Sequence, residues 1–369
     1  MMLGGRGVSP IGLDLGRQAI KAVQWAGSAG SPRIVASARI ARTDESAIPT
    51  LEESSRLAEI LWRRGFQGRR VVVGVPESSS LTAVVEVPPA NAGAPVRQIA
   101  AGELARLHGT NVEDLETDSW MLPAAGSKGQ RHEAVAVGVR RGEMLALLDS
   151  LQARDGAGFE VVAADASVCA RVRAATLGLR TITEAWALLD MGWSSSRLSV
   201  VHDRLIIYDR ALPDSGMAHL ELRLEQDCAL KPEDIRYVLG QTAGAAPRRV
   251  SGAWQGAIGT YTGILAGEVQ DSLRYLALHR GIAMPRMIVL TGGGAESAPV
   301  LEHLSKAMDG MNVTPAPPAR PVQTDDPGAA GGAAPAAGSV AASHPTARRQ
   351  KFAAPPALWT ALGLSLWAA

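Results

Sequence analysis

Two aspartate–glycine turns in the sequence have the residue types that bind phosphate groups and magnesium. They are Asp14-Leu15-Gly16 and Asp190-Met191-Gly192, and each has a basic residue seven positions after its aspartate, Lys21 or Arg197. Glycine lets the backbone approach a phosphate closely, neighbouring N–H groups can donate to its oxygens, and aspartate can hold Mg²⁺ directly or through water. The repetition predicts two related half-domains whose turns face each other across a cleft.

A third glycine-rich turn, starting at Thr291, joins a predicted strand to a predicted helix. Glycines at such a turn allow a flat base or a ribose to approach, and the helix dipole favours anions. Each turn alone is common in proteins, but the three together in this order predict a nucleotide site. Its candidate binding residues are Asp14, Gly16, Arg17, Gln18, Lys21, Asp190, Gly192, Ser194, Ser195, Gly292, Gly293 and Gly294. Of these, Asp14 and Asp190 are the candidate ligands of Mg²⁺.

Three charged residues allow two interpretations each. Lys21 and Arg197 can pair with phosphates, although a charge on the outward face of a strand is the simpler explanation for both. Asp165, at a strand end before a helix, is the position best suited to orient a water against a γ-phosphate. A helix N-cap explains Asp165 equally well.

The composition of the 369-residue chain excludes several classes of function. Lys and Arg number 37 against 36 Asp and Glu, so no large single-sign field would attract nucleic acid. Cys169 and Cys228 lie in apolar stretches without metal-ligand spacing, which indicates free thiols in a reducing compartment. The sequence contains neither a zinc-type ligand cluster nor a Gly-x-Ser-x-Gly elbow.

The apolar segments predict a cytoplasmic protein without a membrane span. The start of the chain lacks the features of a secretory signal. Leu358–Ala369 is an apolar run of about twelve residues, whereas a spanning helix needs roughly twenty. We expect this run to be a buried terminal helix.

Hydrophobic periodicity predicts an α/β protein of two lobes. Strand patterns recur around both aspartate–glycine turns, and an amphipathic helix at 96–108 is expected to bury Val96, Ile99, Ala100 and Leu107. The expected units are lobe 1 (8–80), an inserted α+β subdomain (81–163), a return to lobe 1 (164–186), lobe 2 (187–313), a flexible Pro/Ala/Gly linker (314–356) and a terminal helix (357–369).

The three turns resemble the nucleotide motifs of the actin-like ATPase superfamily. Ile11–Val23 resembles its first phosphate loop, Leu188–Val200 its second, and Leu290–Ala295 its adenosine motif. A narrower resemblance, to the PilM family of type IV pilus assembly proteins, covers the chain except the linker. Its motifs are Leu188–Gly192, Leu198–Asp203, Ile206–Tyr208, Val73–Pro76, Val161–Asp165 and Ala354–Leu358 with Gly363-Leu364.

This resemblance implies an actin-like (ribonuclease H-like) fold in the FtsA/PilM arrangement, with ATP and Mg²⁺ between the lobes. It also implies a PilN-like membrane protein as partner, bound through its N-terminal peptide, with PilN/PilO and the pilus motor ATPases reached indirectly. The peptide groove is expected near Leu81–Val87 and the helix 96–108. The protein would then be peripheral to the inner membrane through its partners, and its oligomeric state is left open.

Some positions depart from the family pattern. Arg17, Gln18 and Ala19 replace the small hydroxyl residues that follow the first turn, and Trp193 follows the second, where Ser194–Ser196 can still donate hydrogen bonds. Gly216, between Ser215 and Met217, stands where a Gly-Gly pair is usual, and is a further candidate binding residue. With no clear catalytic residue, the expectation is an adaptor with slow or no ATP turnover.

Other members of the same superfamily remain alternatives. A small-molecule kinase would need an acceptor pocket with a base aspartate, which the sequence does not show. A secretion-system scaffold like the type II secretion L protein, or an FtsA-like filament former, is the other reading. FtsA proteins end in a basic amphipathic helix, whereas the last twelve residues here carry no charge.

Overall fold

Two mixed β-sheets of five strands each form the frame of the molecule. The computed structural model describes residues 7–28, 31–42, 46–89, 92–122, 132–152, 158–178, 184–240, 252–280, 282–316 and 355–367. The strands are β1 (Ile11–Leu15), β2 (Ala19–Ser28), β3 (Ser31–Ala41), β4 (Arg70–Val75), β5 (Ser80–Val87), β6 (Leu115–Met121), β7 (His132–Arg140), β8 (Glu160–Ala166), β9 (Trp186–Met191), β10 (Ser196–His202), β11 (Leu205–Leu212), β12 (Met287–Thr291) and β13 (Asn312–Pro315). The α-helices are α1 (Leu51–Arg63), α2 (Val96–Leu107), α3 (Arg141–Leu151), α4 (Ser167–Gly178), α5 (Met217–Cys228), α6 (Pro232–Leu239), α7 (Gly252–Arg280), α8 (Ala298–Ala307) and α9 (Trp359–Ser365).

The two large sheets repeat one topology, as the duplicated turns predict. Their strand orders are β3-β2-β1-β4-β8 and β11-β10-β9-β12-β13. In lobe 1 strands β3, β2 and β1 pair antiparallel, and β4 and β8 run parallel to β1. In lobe 2 strands β11, β10 and β9 pair antiparallel, and β12 and β13 run parallel to β9. The hairpin registers also match, because Asp14 pairs with Lys21 and Asp190 with Arg197. The expected two-lobed α/β fold is confirmed.

Each sheet is covered by helices that bury apolar side chains. In lobe 1, Leu57 and Leu61 of α1 pack with Leu147 and Leu151 of α3. Helix α1 begins after Thr50, whose side chain accepts a 3.1 Å hydrogen bond from the Glu53 N–H and so satisfies a free donor of the first turn. In lobe 2, helices α5 to α8 bury a larger core against β9, β10 and β12.

The inserted subdomain is smaller than the sequence pattern predicts. Its own sheet has the order β5-β7-β6 and packs against α2. Strand β8 instead pairs in parallel with β4 in the sheet of lobe 1, and α3 packs into the core of that lobe. The insert sheet and its helix therefore end near residue 140, so the boundary at 163 is wrong. Periodicity identified β8 as a strand but could not say which sheet it joins.

Two other details differ from the sequence expectation. Leu107 is 52% exposed at the end of α2, while Leu104 is buried in its place, because the buried face of the helix follows Ala100, Leu104 and Ala105. Strand β13 was not expected, and it takes up the start of the segment assigned as the linker. The remainder of that segment, 317–354, lies outside the described residues.

Helix α9, within the terminal apolar run, packs against side chains of both lobes. The Trp25 indole N–H donates to the Ser365 carbonyl at 2.7 Å, and the Gly292 N–H donates to the Pro356 carbonyl just before the helix at 3.3 Å. Two glycines allow the close approach. A Cβ added at Gly12 would lie 2.0 Å from the Ala361 oxygen, and one at Gly363 would lie 1.7 Å from the Ala170 oxygen.

We expect Gly363→Ala to lower the free energy of unfolding by about 3 kcal/mol, because the new methyl overlaps the backbone of α4 and the helix must move. Gly102→Ala is the matched control, since a Cβ at Gly102 in α2 meets no atom within 4 Å. This control should be neutral or stabilising by up to about 1 kcal/mol. Urea unfolding of both variants measures the difference, and equal stabilities would contradict the tight packing of α9.

Candidate functional site

The two aspartate–glycine turns have the same backbone geometry. A Cβ at Gly16 would lie 2.8 Å from the Ala19 oxygen, and one at Gly192 would lie 2.7 Å from the Ser195 oxygen. Each turn therefore folds back on the carbonyl three residues later and leaves no space for a side chain at its glycine. The requirement for glycine at these two positions comes from the turn itself.

A cavity of about 470 Å³ separates the two turns. Its walls come from both lobes, and the third glycine turn closes one side. The sequence-predicted residues that line it are Asp14, Gly16, Arg17, Gln18, Lys21, Asp190, Gly192, Ser194, Ser195, Gly292 and Gly293. Residues far apart in sequence thus meet at one site, as the cleft prediction requires.

Gly216 and Gly294 are not among the residues that line the cavity. A Cβ at Gly216 would lie 2.3 Å from the Trp193 oxygen, and one at Gly294 would lie 2.7 Å from the Met191 Cβ. Both glycines pack against residues of the second turn or next to it. In this structure they therefore have a packing role instead of the direct binding role expected from the sequence.

Lys21 faces the cleft, and the interpretation as an outward strand charge is wrong for it. Its Nζ donates to Asp14 Oδ2 at 2.9 Å, and both side chains are 16% exposed. Burial disfavours the ammonium, but the nearby Asp14 and Asp190 carboxylates outweigh burial and raise the pKa of Lys21 above its ordinary value. The cleft therefore holds a charged lysine at neutral pH.

Arg197 is also buried, so the outward-charge interpretation is wrong here too, although its contacts differ from those of Lys21. It donates to Asp209 Oδ2 at 2.5 Å and to Thr82 Oγ1 of the insert at 3.1 Å. Burial opposes its charge, but Asp209 and Glu77 raise the pKa of Arg197. The second half of the repeat therefore uses its basic residue to connect lobe 2 with the insert.

Asp190 has partners of its own at the centre of the cleft. Its Oδ1 accepts from Thr291 Oγ1 at 2.9 Å, and its Oδ2 lies 3.3 Å from Arg171 Nη1. Burial nevertheless raises the pKa of Asp190, with Glu77 adding to the effect. The Arg171 guanidinium is buried, lines the cavity and keeps its Nε without a hydrogen-bond partner.

A network of charges joins the two lobes through Glu77. Arg171 of α4 donates to Glu77 and also pairs with Asp190 of lobe 2. Arg197 approaches the second oxygen of Glu77 at 3.9 Å. Burial disfavours the Glu77 carboxylate, but the two arginines outweigh it and lower its pKa. The same residues therefore form the floor of the cavity and connect its walls.

Asp165, the candidate catalytic residue, points to different partners. Its Oδ2 accepts from Arg173 Nη1 at 2.9 Å, and the same nitrogen donates to the Gly363 oxygen in α9. It is not among the described residues that line the cavity. Asp165 thus helps to hold the terminal helix.

The third glycine turn shapes the other end of the cavity. Gly292 has φ +83°, and a Cβ there would lie 2.6 Å from the Met191 oxygen, whereas a Cβ at Gly293 would meet no atom within 4 Å. Ser297, at the start of α8, has a buried hydroxyl without a hydrogen-bond partner and also lines the cavity. The space beside Gly293 is therefore open, with an unused polar group beside it.

Sequence reasoning missed several charged residues of the cavity. Arg236 donates to both oxygens of Glu221 at 2.7 Å and lies 5.2 Å from the centre of the Trp193 ring. Glu77 lies two residues after the end of β4 at Val75, next to Pro76. The signal for Arg171 was available, since an arginine within a mostly apolar helix such as α4 must be paired if it is buried.

Comparison with known proteins identifies the fold. No family model and no curated protein matches the sequence. Among solved structures, a chain of the PilM-PilN type IV pilus biogenesis complex superposes with a TM-score of 0.71 at 19% identity over 98% of each chain. The chain has a PilM-like actin fold. The resemblance stated from the sequence is thereby supported at the level of the fold.

Two further solved structures are similar to this fold. The ethanolamine utilization protein EutJ from Carboxydothermus hydrogenoformans has a TM-score of 0.50 at 14% identity, covering 99% of this chain and 91% of that one. The activator of 2-hydroxyisocaproyl-CoA dehydratase from Clostridium difficile, with bound ADPNP, has a TM-score of 0.47 at 13% identity, with 98% and 94% covered.

We expect Glu77→Gln to lower the stability at pH 7 by about 2 kcal/mol, the scale of a hydrogen bond to a charged group. Because the folded pKa of Glu77 is lowered, its stabilising effect is present above its ordinary pKa of 4.5 and is lost as pH falls through and below that value. The melting temperature of the wild type should therefore fall more steeply on acidification than that of the variant.

The matched control is Glu59→Gln, which removes an exposed i,i+4 pair with Arg63 on α1. It should leave both the stability and its pH dependence nearly unchanged. Parallel pH curves for the wild type and Glu77→Gln would contradict the assigned network.

Proposed function

We propose that the protein is a nucleotide-binding adaptor of type IV pilus assembly. In this role it binds ATP with Mg²⁺ between its lobes and a PilN-like membrane protein through that protein's N-terminal peptide. The observation that carries the proposal is the single cavity lined by both aspartate–glycine turns and by Gly292 and Gly293. Turns of this type from two lobes suit a chain of phosphates ending in a nucleoside.

The residues present fit the phosphate end of such a ligand. Lys21 supplies a charged ammonium, and the Arg171 guanidinium adds a second positive charge among the residues that line the cavity. Gly16 and Gly192 bring the backbone of each turn to the cavity without an intervening side chain. The first turn has no side-chain hydroxyls at positions 17–19, so its proposed phosphate donors are its backbone N–H groups and the side chains of Arg17 and Gln18, which line the cavity.

The residues also fit magnesium and a nucleoside. Asp14 and Asp190 would hold the ion, directly or through water, as Mg²⁺ is usually bound by one or two carboxylates together with phosphates. The ion would neutralise charge on the phosphates. The nucleoside would lie beside Gly293, at the end of the cavity that Ser297 also lines. With Asp165 paired elsewhere, we propose slow or no ATP turnover.

The proposed partner rests on the fold and on the insert. The similar solved chain comes from a complex that contains PilN. The expected groove involves Leu81–Val87 and helix α2, and β5 is an edge strand of the insert sheet, a position to which an extended peptide can add. No helix in the described parts of the chain is long and apolar enough to cross a membrane. We propose that the protein reaches the inner membrane through its PilN-like partner, because the similar solved chain comes from a complex that contains PilN.

We expect Gly293→Leu to weaken Mg-ATP binding by at least about tenfold, on the scale of the cost of overpacking a filled site. A Cβ at Gly293 meets no atom within 4 Å, and the leucine side chain would occupy the space proposed for the nucleoside. Gly102→Leu, at another open glycine outside the cavity, is the control. Isothermal titration with Mg-ATP measures the affinity, and unchanged binding by Gly293→Leu would place the nucleotide elsewhere.

We expect a synthetic peptide from the N-terminus of a PilN-like protein to bind, and to bind more tightly when Mg-ATP is present. The physical reason is that bound Mg-ATP would connect the two lobes. The insert, which carries the proposed peptide groove, lies against both lobes, so nucleotide binding and peptide binding would be coupled. Gly293→Leu should bind the peptide but lose the effect of ATP. Absence of peptide binding with or without ATP would refute the pilus assignment, and rapid multiple turnover of ATP would refute the adaptor role.

A further inference from the structure

Arg42 is an arginine whose whole guanidinium is used within the protein. Its side chain is 1% exposed, and it donates to both Glu53 oxygens, at 2.7 and 2.9 Å. It also donates to the Ser46 oxygen at 2.6 Å and to the Gly16 oxygen at 3.2 Å, with a longer 3.5 Å contact to Ser46 Oγ. All five N–H donors of the group therefore have an acceptor.

Two of the contacts of Arg42 reach the first aspartate–glycine turn. Besides the side-chain bond to the Gly16 oxygen, its backbone N–H donates to the Gln18 oxygen at 3.0 Å. The Glu53 carboxylate belongs to the first turn of α1, so Arg42 connects the turn to that helix. A buried, bidentate arginine gives a rigid connection, because the planar fork fixes the direction of each bond.

The second turn is held at the equivalent position by a different element. The Gly192 oxygen accepts from the Met217 N–H at 3.0 Å, and the Trp193 oxygen accepts from the Ala218 N–H at 2.9 Å. These donors are free N–H groups at the start of α5. In the structural repeat Gly16 corresponds to Gly192, so the Arg42 side chain does in lobe 1 what a helix N-terminus does in lobe 2.

The direction of these bonds matters for an incoming phosphate. A trans peptide unit is planar, and its carbonyl and N–H point in opposite directions. The described residues contain no cis peptide. Once Arg42 holds the Gly16 carbonyl, the N–H of Arg17 in the same peptide unit must point to the opposite side of the turn. Gly16, Arg17 and Gln18 line the cavity whereas Arg42 and Glu53 do not, so the side of the turn opposite Arg42 is the one that we assign to the ligand.

We propose that Arg42 is a positioning residue that fixes the first aspartate–glycine turn in the shape that the proposed phosphate site requires. The inference rests on the proposed nucleotide binding and assigns the support of that site in lobe 1. It also accounts for a turn without side-chain hydroxyls at positions 17–19, since a fixed backbone does not need them. Arg42 itself does not touch the ligand.

Titration of Arg42→Lys with Mg-ATP and, separately, with adenosine tests the inference. Lysine keeps the charge but cannot bond Glu53 and Gly16 together, so ATP affinity should fall by at least about tenfold, the scale of a charge-assisted hydrogen bond. Adenosine lacks phosphates and should bind within about twofold of the wild type. Arg69→Lys, which loses a comparable 2.8 Å bond to the Gly158 oxygen, is the control and should bind both as the wild type does.

Glu53→Gln provides a second variant in case Arg42→Lys does not fold, because the Glu53 side chain is 22% exposed and the change is milder. It should show a smaller but equally ATP-selective loss. If the variants lose affinity for ATP and for adenosine equally, or lose affinity for neither, the proposed role of Arg42 is overturned. The proposed nucleotide binding would not be affected by that result. Failure of the wild-type protein to bind ATP would instead overturn the proposed function, and this inference with it.

Discussion

The ion pairs of one buried arginine between the two lobes are the interactions on which the arrangement of this molecule depends. Arg171 belongs to lobe 1 and pairs both with Glu77 of its own lobe and with Asp190 of lobe 2. A guanidinium taken out of water needs such acceptors, since an unpaired buried charge is very costly. The relative position of the lobes is therefore coupled to the charge balance of the cleft floor. Any anion that enters the cleft meets groups that already hold the protein together.

The structural repeat has diverged in the way each half uses its charges. Both basic residues line the cavity, but Lys21 pairs with Asp14 of its own turn, whereas Arg197 pairs with Asp209 and donates to Thr82 of the insert. The support of the two turns has diverged as well, from helix N–H groups in lobe 2 to an arginine side chain in lobe 1. The same backbone shape can thus be stabilised by different chemistry, and the turn geometry is what the two halves share.

Local patterns predicted most of the fold and much of the candidate site. The turns at Gly16 and Gly192 were predictable because a sharp bend that leaves no space for a Cβ requires glycine. The role of Asp165 and the sheet that β8 joins were not, because both depend on contacts with chain segments distant in sequence. Hydrophobic periodicity does not predict buried ion pairs such as Arg171 with Glu77 for the same reason, since the sequence around a charged residue does not indicate its partner.

The docking of α9 has a consequence for the order in which the protein folds. The bond from Trp25 to Ser365 joins residues 340 positions apart, and it closes a core to which both lobes contribute. Contacts of such long range form late, because loop closure must precede them. During synthesis each lobe can assemble its own sheet, but the packing between them is completed only after α9 leaves the ribosome. Helix α9, whose Thr360 lines the cavity, is thus the last of the described elements to join the cleft.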